Sequence, residues 1–185
     1  FGYVIKLLGV AKNTEDGIEV KVHPMLIPNN HPLANVNDAF NAVFVHGKAM
    51  DDAMFMGRGA GQMPTASAVV GDIIDVCRNI VHDSCGRIGC CCYKNLEVKD
   101  ITDTKSKFFL RLEVADKQGV LANIASVLGN SGVSIAQVVQ KSGKDGVAEL
   151  VIITAEVLEK NFNDAMAVFK GLSAVKNIAG VIRVY

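Results

Sequence analysis

Residues 107–135 read KFFLRLEVADKQGVLANIASVLGNSGVSI, and two periodicities meet within them. Phe108, Leu110, Leu112 and Val114 alternate with Phe109, Arg111 and Glu113, a period of two that predicts a half-buried strand. After a turn at 116–119, Leu121, Ile124, Ala125 and Leu128 recur at helical spacing. That helix is expected to stop at 129–132, where glycine can supply a left-handed cap. Downstream, 133–140 reads as a second strand, 141–146 as a turn and 147–155 as a third strand. Phe162, Ala165, Met166 and Phe169 stripe a second helix, and 181–185 forms a last strand. The order βαββαβ predicts a ferredoxin-like sandwich, with helices on one face of an antiparallel sheet. Many functions use that topology, so the fold alone names none of them.

Upstream, residues 82–106 mix Gly, Ser, Cys and charge without sustained periodicity and read as a linker. Residues 1–81 read as strands followed by one helix. Ile18, Val20 and Val22 alternate with Glu19, Lys21 and His23, a half-buried strand with the aliphatic residues inward. Three prolines and two asparagines over 23–32 predict an irregular surface segment. Residues 42–46 and 49–56 flank Gly47-Lys48 as a hairpin. From Pro64, the residues Ala66, Val69, Val70, Ile73, Ile74 and Cys77 stripe a helix. Three or four strands and one helix make a thin core for so apolar a segment, which implies further structure. The expected class is α+β: a partial mixed sheet-plus-helix segment (1–81), a linker (82–106) and a ferredoxin-like domain (107–185).

Half of the 185 residues are apolar and the formal net charge is zero, so nothing points to a polyanionic partner. No apolar run approaches a membrane span, and FGYVIKL at the start reads as a strand rather than a signal peptide. The chain is therefore read as a cytoplasmic fragment lacking an N-terminal portion. Cys77, Cys85, Cys90, Cys91 and Cys92 are odd in number with three adjacent, a poor disulfide framework. A zinc site from Cys85, the 90–92 triplet and His82 would need a second ligand cluster, so reduced thiols are the preferred reading.

Residues 57–76, GRGAGQMPTASAVVGDIIDV, break a strand-like run into three alternate glycines before the helix. Glycines 57, 59 and 61 are read as permitting positive φ and close ligand approach. Pro64, read as the first helical residue, leaves amides near Thr65 and Ala66 open to negative or polar groups. The spacing is not the dinucleotide fingerprint, and a ligand-contacting loop and a plain tight turn are both open readings. With GYVIKLLGVA (2–11), HPMLIPNNHPLANV (23–36) and NAVFVHG (41–47), this string resembles the C-terminal part of the catalytic region of homoserine dehydrogenases. Asp116 to Ile124 followed by Gly132 to Ile135 similarly resembles an ACT domain, an amino-acid-sensing module.

The first resemblance implies NAD- or NADP-dependent interconversion of aspartate semialdehyde and homoserine. That reaction stands in threonine, methionine and isoleucine biosynthesis. It places the catalytic lysine and aspartate, and the nucleotide fingerprint, upstream of GYVIKL, so no catalytic residue is expected in this chain. Gly61 is expected against the nicotinamide end of the coenzyme, with Gly59, Ala60 and Thr65 lining the approach. Arg58 is read as a surface arginine in preference to a phosphate contact. His23, His31, His46 and His82 are expected in structural or solvated roles. The second resemblance implies side-by-side pairing of sensors, with an amino acid between the turn of one copy and the second strand of its neighbour. Asp116 and Ser134 are its polar candidates, and Gly119, Val120 and Leu121 present main chain. Gln137 ranks below them, and Asp116 also suits a helix cap. L-Threonine is the implied effector, and homo-oligomers through the ACT domain and the catalytic-region sheet are implied. The competing readings are a stand-alone amino-acid-binding module that dimerises without catalysis, and a metal-responsive regulator.

Overall fold

A computed structural model describes residues 1–86, 89–90, 95–141, 143 and 145–185. Its strands are β1 (Tyr3–Thr14), β2 (Gly17–Pro28), β3 (Phe40–Gly47), β4 (Asp51–Arg58), β5 (Lys105–Ala115), β6 (Ile135–Lys141), β7 (Val147–Thr154), β8 (Val157–Leu158) and β9 (Val175–Val184). Its helices are α1 (Gln62–Val81), α2 (Val120–Asn130) and α3 (Glu159–Gly171). Two compact units emerge: residues 1–28 with 96–185, and residues 29–95.

The first unit is built on a sheet of order β1-β2-β9-β5-β7-β6, with β8 paired to β5. Within it lies the expected βαββαβ arrangement. Phe108, Leu110, Leu112 and Val114 of β5 face inward and pack with Ala148, Leu150 and Ile152 of β7. Ile124 and Leu128 of α2, and Phe162, Ala165 and Phe169 of α3, close the same core. Phe108 and Phe162 stack with ring centroids 3.6 Å apart. Each such side chain contributes about 1.5–3 kcal/mol by leaving water. The α2 stripe is rotated from its expected face: Val120 is buried and Leu121 is 39 % exposed. Gly119, at φ 82°, starts the helix, so its buried face runs Val120, Ile124, Leu128.

The expected boundaries at 81 and 107 do not follow the packing. The β1–β2 hairpin joins the ferredoxin-like sheet through a short parallel ladder, Met25 to Arg183 and Leu26 to Val184. Part of the expected linker is also integrated: Ile18 exchanges backbone bonds of 2.9 Å with Glu97 and Lys99. The Asp100 carboxylate caps a 3-10 turn, Ile101–Asp103, just ahead of β5. Residues 23–28, expected to be irregular, continue β2. Pro24 and Pro28 are tolerated there because β2 has a second neighbouring strand only at Met25 and Leu26. The expected inward face of β2 is reversed as well. Glu19 and Lys21 are buried, whereas Val20 is 50 % and Val22 71 % exposed.

The second unit holds the β3–β4 ribbon, a 3-10 turn at Pro32–Asn35 and α1. The expected hairpin is present, with strands longer by one or two residues at most ends. The α1 stripe forms, but no residue of the helix is buried; Val69 and Val70 are each 52 % exposed. Ile73, Ile74, Cys77, Arg78, Val81 and His82 line an open groove along it. Among the described residues, no helix is long and apolar enough to cross a membrane.

Candidate functional site

The glycine elbow lies between β4 and α1, and its three glycines differ in what requires them. Only Gly61 has positive φ, at φ 123° and ψ 147°, a conformation essentially confined to glycine. Gly59 has ordinary backbone, but a Cβ there would fall 1.7 Å from Asn41 Nδ2. Its amide donates to Ala39 O at 3.0 Å, extending the ribbon past β4. Gly57 has ordinary backbone and open space around its missing side chain.

Helix α1 starts at Gln62, two residues before the expected position, with Gly61 as N-cap. Pro64 is therefore the third helical residue, and the Thr65 amide is not open: it donates to Gly61 O at 3.1 Å. The amides left free by the helix start are those of Gln62 and Met63, since proline has none. Ala60 and Thr65 are exposed at the elbow. Arg58 lies over the Phe40 ring at 5.0 Å, which fits the surface reading.

The sensor residues occupy two ends of one sheet. The Asp116 amide donates to Gly146 O at 2.9 Å, just before β7 begins. Ser134 O accepts from Ala155 at 2.8 Å, just after β7 ends. The eight residues of β7 separate them, about 25 Å at a strand's rise. A single amino acid cannot touch both within one chain. Gly119, not Asp116, is the N-cap of α2, and no side chain caps it. The Asp116 carboxylate is exposed, as are Ser134 and Gln137. β6 is the sheet's outer strand, so among the described residues its far edge is unpaired by any other strand.

A charged cluster that the sequence reading missed secures the hairpin to the sensor domain. The Glu159 carboxylate, 2 % exposed, accepts from Ser106 Oγ at 2.8 Å. It also accepts from Arg183 Nε and Nη2, both at 2.6 Å. Lys21 Nζ donates to Ser106 Oγ at 2.9 Å and to Lys105 O at 2.8 Å, and lies 4.0 Å from Glu159. Glu19 stands between Lys21 and Lys99, at 3.8 and 3.9 Å. Burial opposes ionisation of Glu159, but bonds from Arg183 and Ser106 and the charges of Arg183 and Lys21 outweigh it, holding its pKa below the ordinary range. Burial lowers the Lys21 pKa despite Glu19 and Glu159.

His23 sits beside this cluster with a buried Nε2 that has no hydrogen-bond partner among the described residues. Burial first, then Arg183, lowers its pKa below 6.5, with Lys21 adding to this and Glu159 opposing it. The unfolded chain therefore takes up the proton before the folded one, and stability falls as pH drops below about 6.5. Depressed Glu159 adds a further loss at lower pH. We expect His23→Leu to flatten stability between pH 7.5 and 5.5 while the parent declines, in denaturant titrations at each pH. An equal decline in both would contradict this.

The other histidines take local roles. His31 Nδ1 accepts from the Leu33 amide at 3.2 Å, and exposed His46 meets Asp52 at 2.7 Å. His82 follows the end of α1. Cys77, Cys85 and Cys90 are exposed, while Cys91 and Cys92 lie outside the described residues. Among the described residues, no three potential ligands are grouped for a metal ion.

The homoserine dehydrogenase family model matches residues 1–74, and an ACT domain model matches residues 102–183. A homoserine dehydrogenase of Pseudomonas aeruginosa is 39% identical over 190 residues, which is 99% of this chain and 44% of that protein. One from Bacillus subtilis is 38% identical over 187 residues, 99% of this chain and 43% of the relative. The crystal structure of a homoserine dehydrogenase from Thiobacillus denitrificans has a TM-score of 0.88 at 39% identity, covering 100% of this chain and 43% of that one. The chain thus spans less than half the length of these relatives.

Proposed function

Because the chain belongs to the homoserine dehydrogenase family as a C-terminal portion with an ACT domain, we propose that it works within an NAD(P)-dependent enzyme interconverting aspartate semialdehyde and homoserine. In this reading residues 1–81 belong to the catalytic and dimerisation region and 107–185 are the regulatory sensor, while 82–106 connect them in sequence with residues 97–99 bonded to Ile18 of β2. The enzyme is a cytoplasmic homo-oligomer. Its coenzyme, NAD or NADP, is held mainly by residues that relatives carry in addition to this stretch. The unburied stripe of α1 supports this, since an amphipathic helix requires an apolar surface to cover it.

The coenzyme's nicotinamide supplies the hydride-accepting and hydride-donating chemistry. Gly61, Gly59, Ala60 and Thr65 of this chain line its approach. Gly61 carries no side chain where a ring or ribose would lie, and the Gln62 and Met63 amides offer donors beside it. The residues present fit such a group as one wall of its site, and no residue here is assigned a proton transfer.

The sensor binds an amino acid, L-threonine, between two copies. The separation of Asp116 from Ser134 is the observation that carries this reading. If β6 of one copy pairs antiparallel with β6 of another, the Ser134 end of one meets the Asp116 end of the other. The amides of Gly119 and Leu121 then receive the ligand carboxylate at the α2 start, joined by that of Val120 once it leaves Lys117 O, to which it donates at 3.5 Å. Asp116 or Ser134 meets the ammonium group. Threonine regulates by favouring one arrangement of paired sensors, and a coupling of about 1–3 kcal/mol gives roughly 5- to 150-fold modulation.

Calorimetry separates this from a stand-alone binding module. The isolated chain is expected to bind L-threonine and to show no homoserine oxidation, while the complete enzyme binds both threonine and NADPH. Turnover that scales with purified isolated chain would contradict the placement of the catalytic groups. Threonine binding without coenzyme binding in the complete protein would favour the stand-alone module.

A further inference from the structure

Strand β2 is tied to the sensor side of its unit by backbone near each end. Ile18 exchanges bonds with Glu97 and Lys99, and Met25 and Leu26 pair with Arg183 and Val184 of β9. Between these ties the attachment is ionic. Lys21 Nζ donates to Ser106 Oγ at 2.9 Å, and Ser106 Oγ donates to Glu159 Oε1 at 2.8 Å. A hydroxyl has one proton to give, so Ser106 joins the hairpin's cation to the carboxylate in one direction only. All three side chains are buried, where such bonds are stronger than in water. Arg183 serves twice, holding Glu159 by its side chain and Met25 through the ladder.

Both ends of the sensor converge on this tie. Ser106 is the second residue of β5, whose last residue, Ala115, precedes Asp116. Glu159 lies four residues beyond Ala155, whose amide donates to Ser134 O at 2.8 Å. The segment between them is held along its length: Leu158 and Val157 pair with Lys105 and Ser106, and the Glu159 amide donates to Thr104 O at 2.9 Å. Just before it, Thr154 Oγ1 accepts from the Phe108 amide at 2.9 Å, both residues being buried. Close-packed elements of this kind transmit strain instead of absorbing it. A shift at Asp116 or at Ser134 therefore reaches one hydroxyl–carboxylate pair. Beyond Lys21, β2 runs on by chain into residue 29, where the unit holding the elbow begins. The element free to respond is the hairpin: β1 and β2 share twelve pairs and β5 and β7 seven, but β2 and β9 share two. A part so lightly laddered can take two arrangements, and the tie sets the balance between them.

We propose, resting on the reading of residues 107–185 as a threonine sensor, that the Lys21–Ser106–Glu159 tie couples that sensor to the catalytic region. Threonine at the sensor displaces β5 and the segment 155–159 against each other, Ser106 and Glu159 move, and Lys21 carries β2 with them. The three are buried positioning residues that touch neither threonine nor coenzyme. Breaking the tie leaves both ligand sites intact and removes the communication between them.

The test measures threonine binding by calorimetry and threonine inhibition by initial rates, both on the complete enzyme. Ser106→Ala and Lys21→Met should each bind threonine with a Kd within about threefold of the parent's. Their activity without threonine should match the parent's. Saturating threonine should slow the parent by about fivefold or more, and each variant by less than about twofold. Ile152→Val loosens the core at β7 but spares the tie, so it should keep the parent's inhibition. Glu159→Gln, which keeps the shape of the side chain, takes the place of either variant that fails to fold. Variants inhibited as strongly as the parent would overturn the coupling and leave the sensor reading standing. Loss of threonine binding in step with inhibition would reduce the tie to a structural clamp, as would equal decoupling by Ile152→Val. A parent enzyme that neither binds threonine nor slows in its presence sinks the sensor reading, and the coupling with it.

Discussion

Glu159→Ala is expected to lower the unfolding free energy of the chain by about 3 kcal/mol, the low end of the range for breaking a buried ion pair. The carboxylate is 2 % exposed and accepts from Ser106 and twice from Arg183. Removing it leaves Arg183 and Lys21 close to one another with their shared negative partner gone. Arg183 keeps 26 % side-chain exposure, so water recovers part of the loss. The damage should centre on the hairpin, because Lys21 belongs to β2 while Ser106, Glu159 and Arg183 belong to β5, α3 and β9. Hydrogen exchange should rise over residues 19–27 more than over β7, whose side chains Leu150 and Ile152 remain packed in the main core. Glu159→Gln keeps the shape and should cost less. Urea unfolding reads the total, and a loss below about 1 kcal/mol would mean that the cluster contributes no more than a surface pair.

Gly61→Ala is expected to weaken coenzyme binding by the complete enzyme about tenfold or more, with threonine binding unchanged. The native φ of 123° and ψ of 147° cost alanine about 1–3 kcal/mol if retained. The new Cβ would also stand 3.3 Å from Pro64 Cδ, in a ring that cannot turn aside. The backbone must therefore rotate, which re-aims the free Gln62 and Met63 amides and shifts the entry of α1. Fluorescence titration with NADPH measures the effect. Lower thermal stability with unchanged coenzyme affinity would reduce Gly61 to a turn residue.

Local pattern carried much of the fold. The alternation from Phe108 to Val114 and the spacing of Phe162, Ala165 and Phe169 give the same elements in the structure, because their packing partners enforce the same faces. The start of α2 was less legible: a left-handed glycine turns the helix so that Val120, rather than Leu121, faces inward. β2 misled for a different reason. Val20 and Val22 look like a core face, whereas Glu19 and Lys21 look solvated. The inversion depends on Glu159 and Arg183, more than 130 residues away in sequence, and no local period encodes a distant counter-charge. The hairpin's attachment was hidden likewise, since Met25 meets Arg183 through a ladder only two pairs long. At the elbow, the glycines were legible as a string, but their reasons were not. Asn41 lies across Gly59, and only the ribbon register brings the two together. The distance from Asp116 to Ser134 likewise follows from strand directions that no motif displays.

That separation offers the most direct test of a sensor shared between copies. Asp116→Ala and Ser134→Ala chains are prepared separately, titrated with L-threonine by calorimetry, then mixed, allowed to exchange subunits and titrated again. Each variant alone should bind weakly or not at all. A mixed pair contains one site with both residues intact, so binding should return in the mixture at close to the parent's affinity, with at most half the sites restored in each mixed pair. No recovery in a mixture shown to contain mixed pairs, or parental binding by either variant alone, would contradict a site built across two chains.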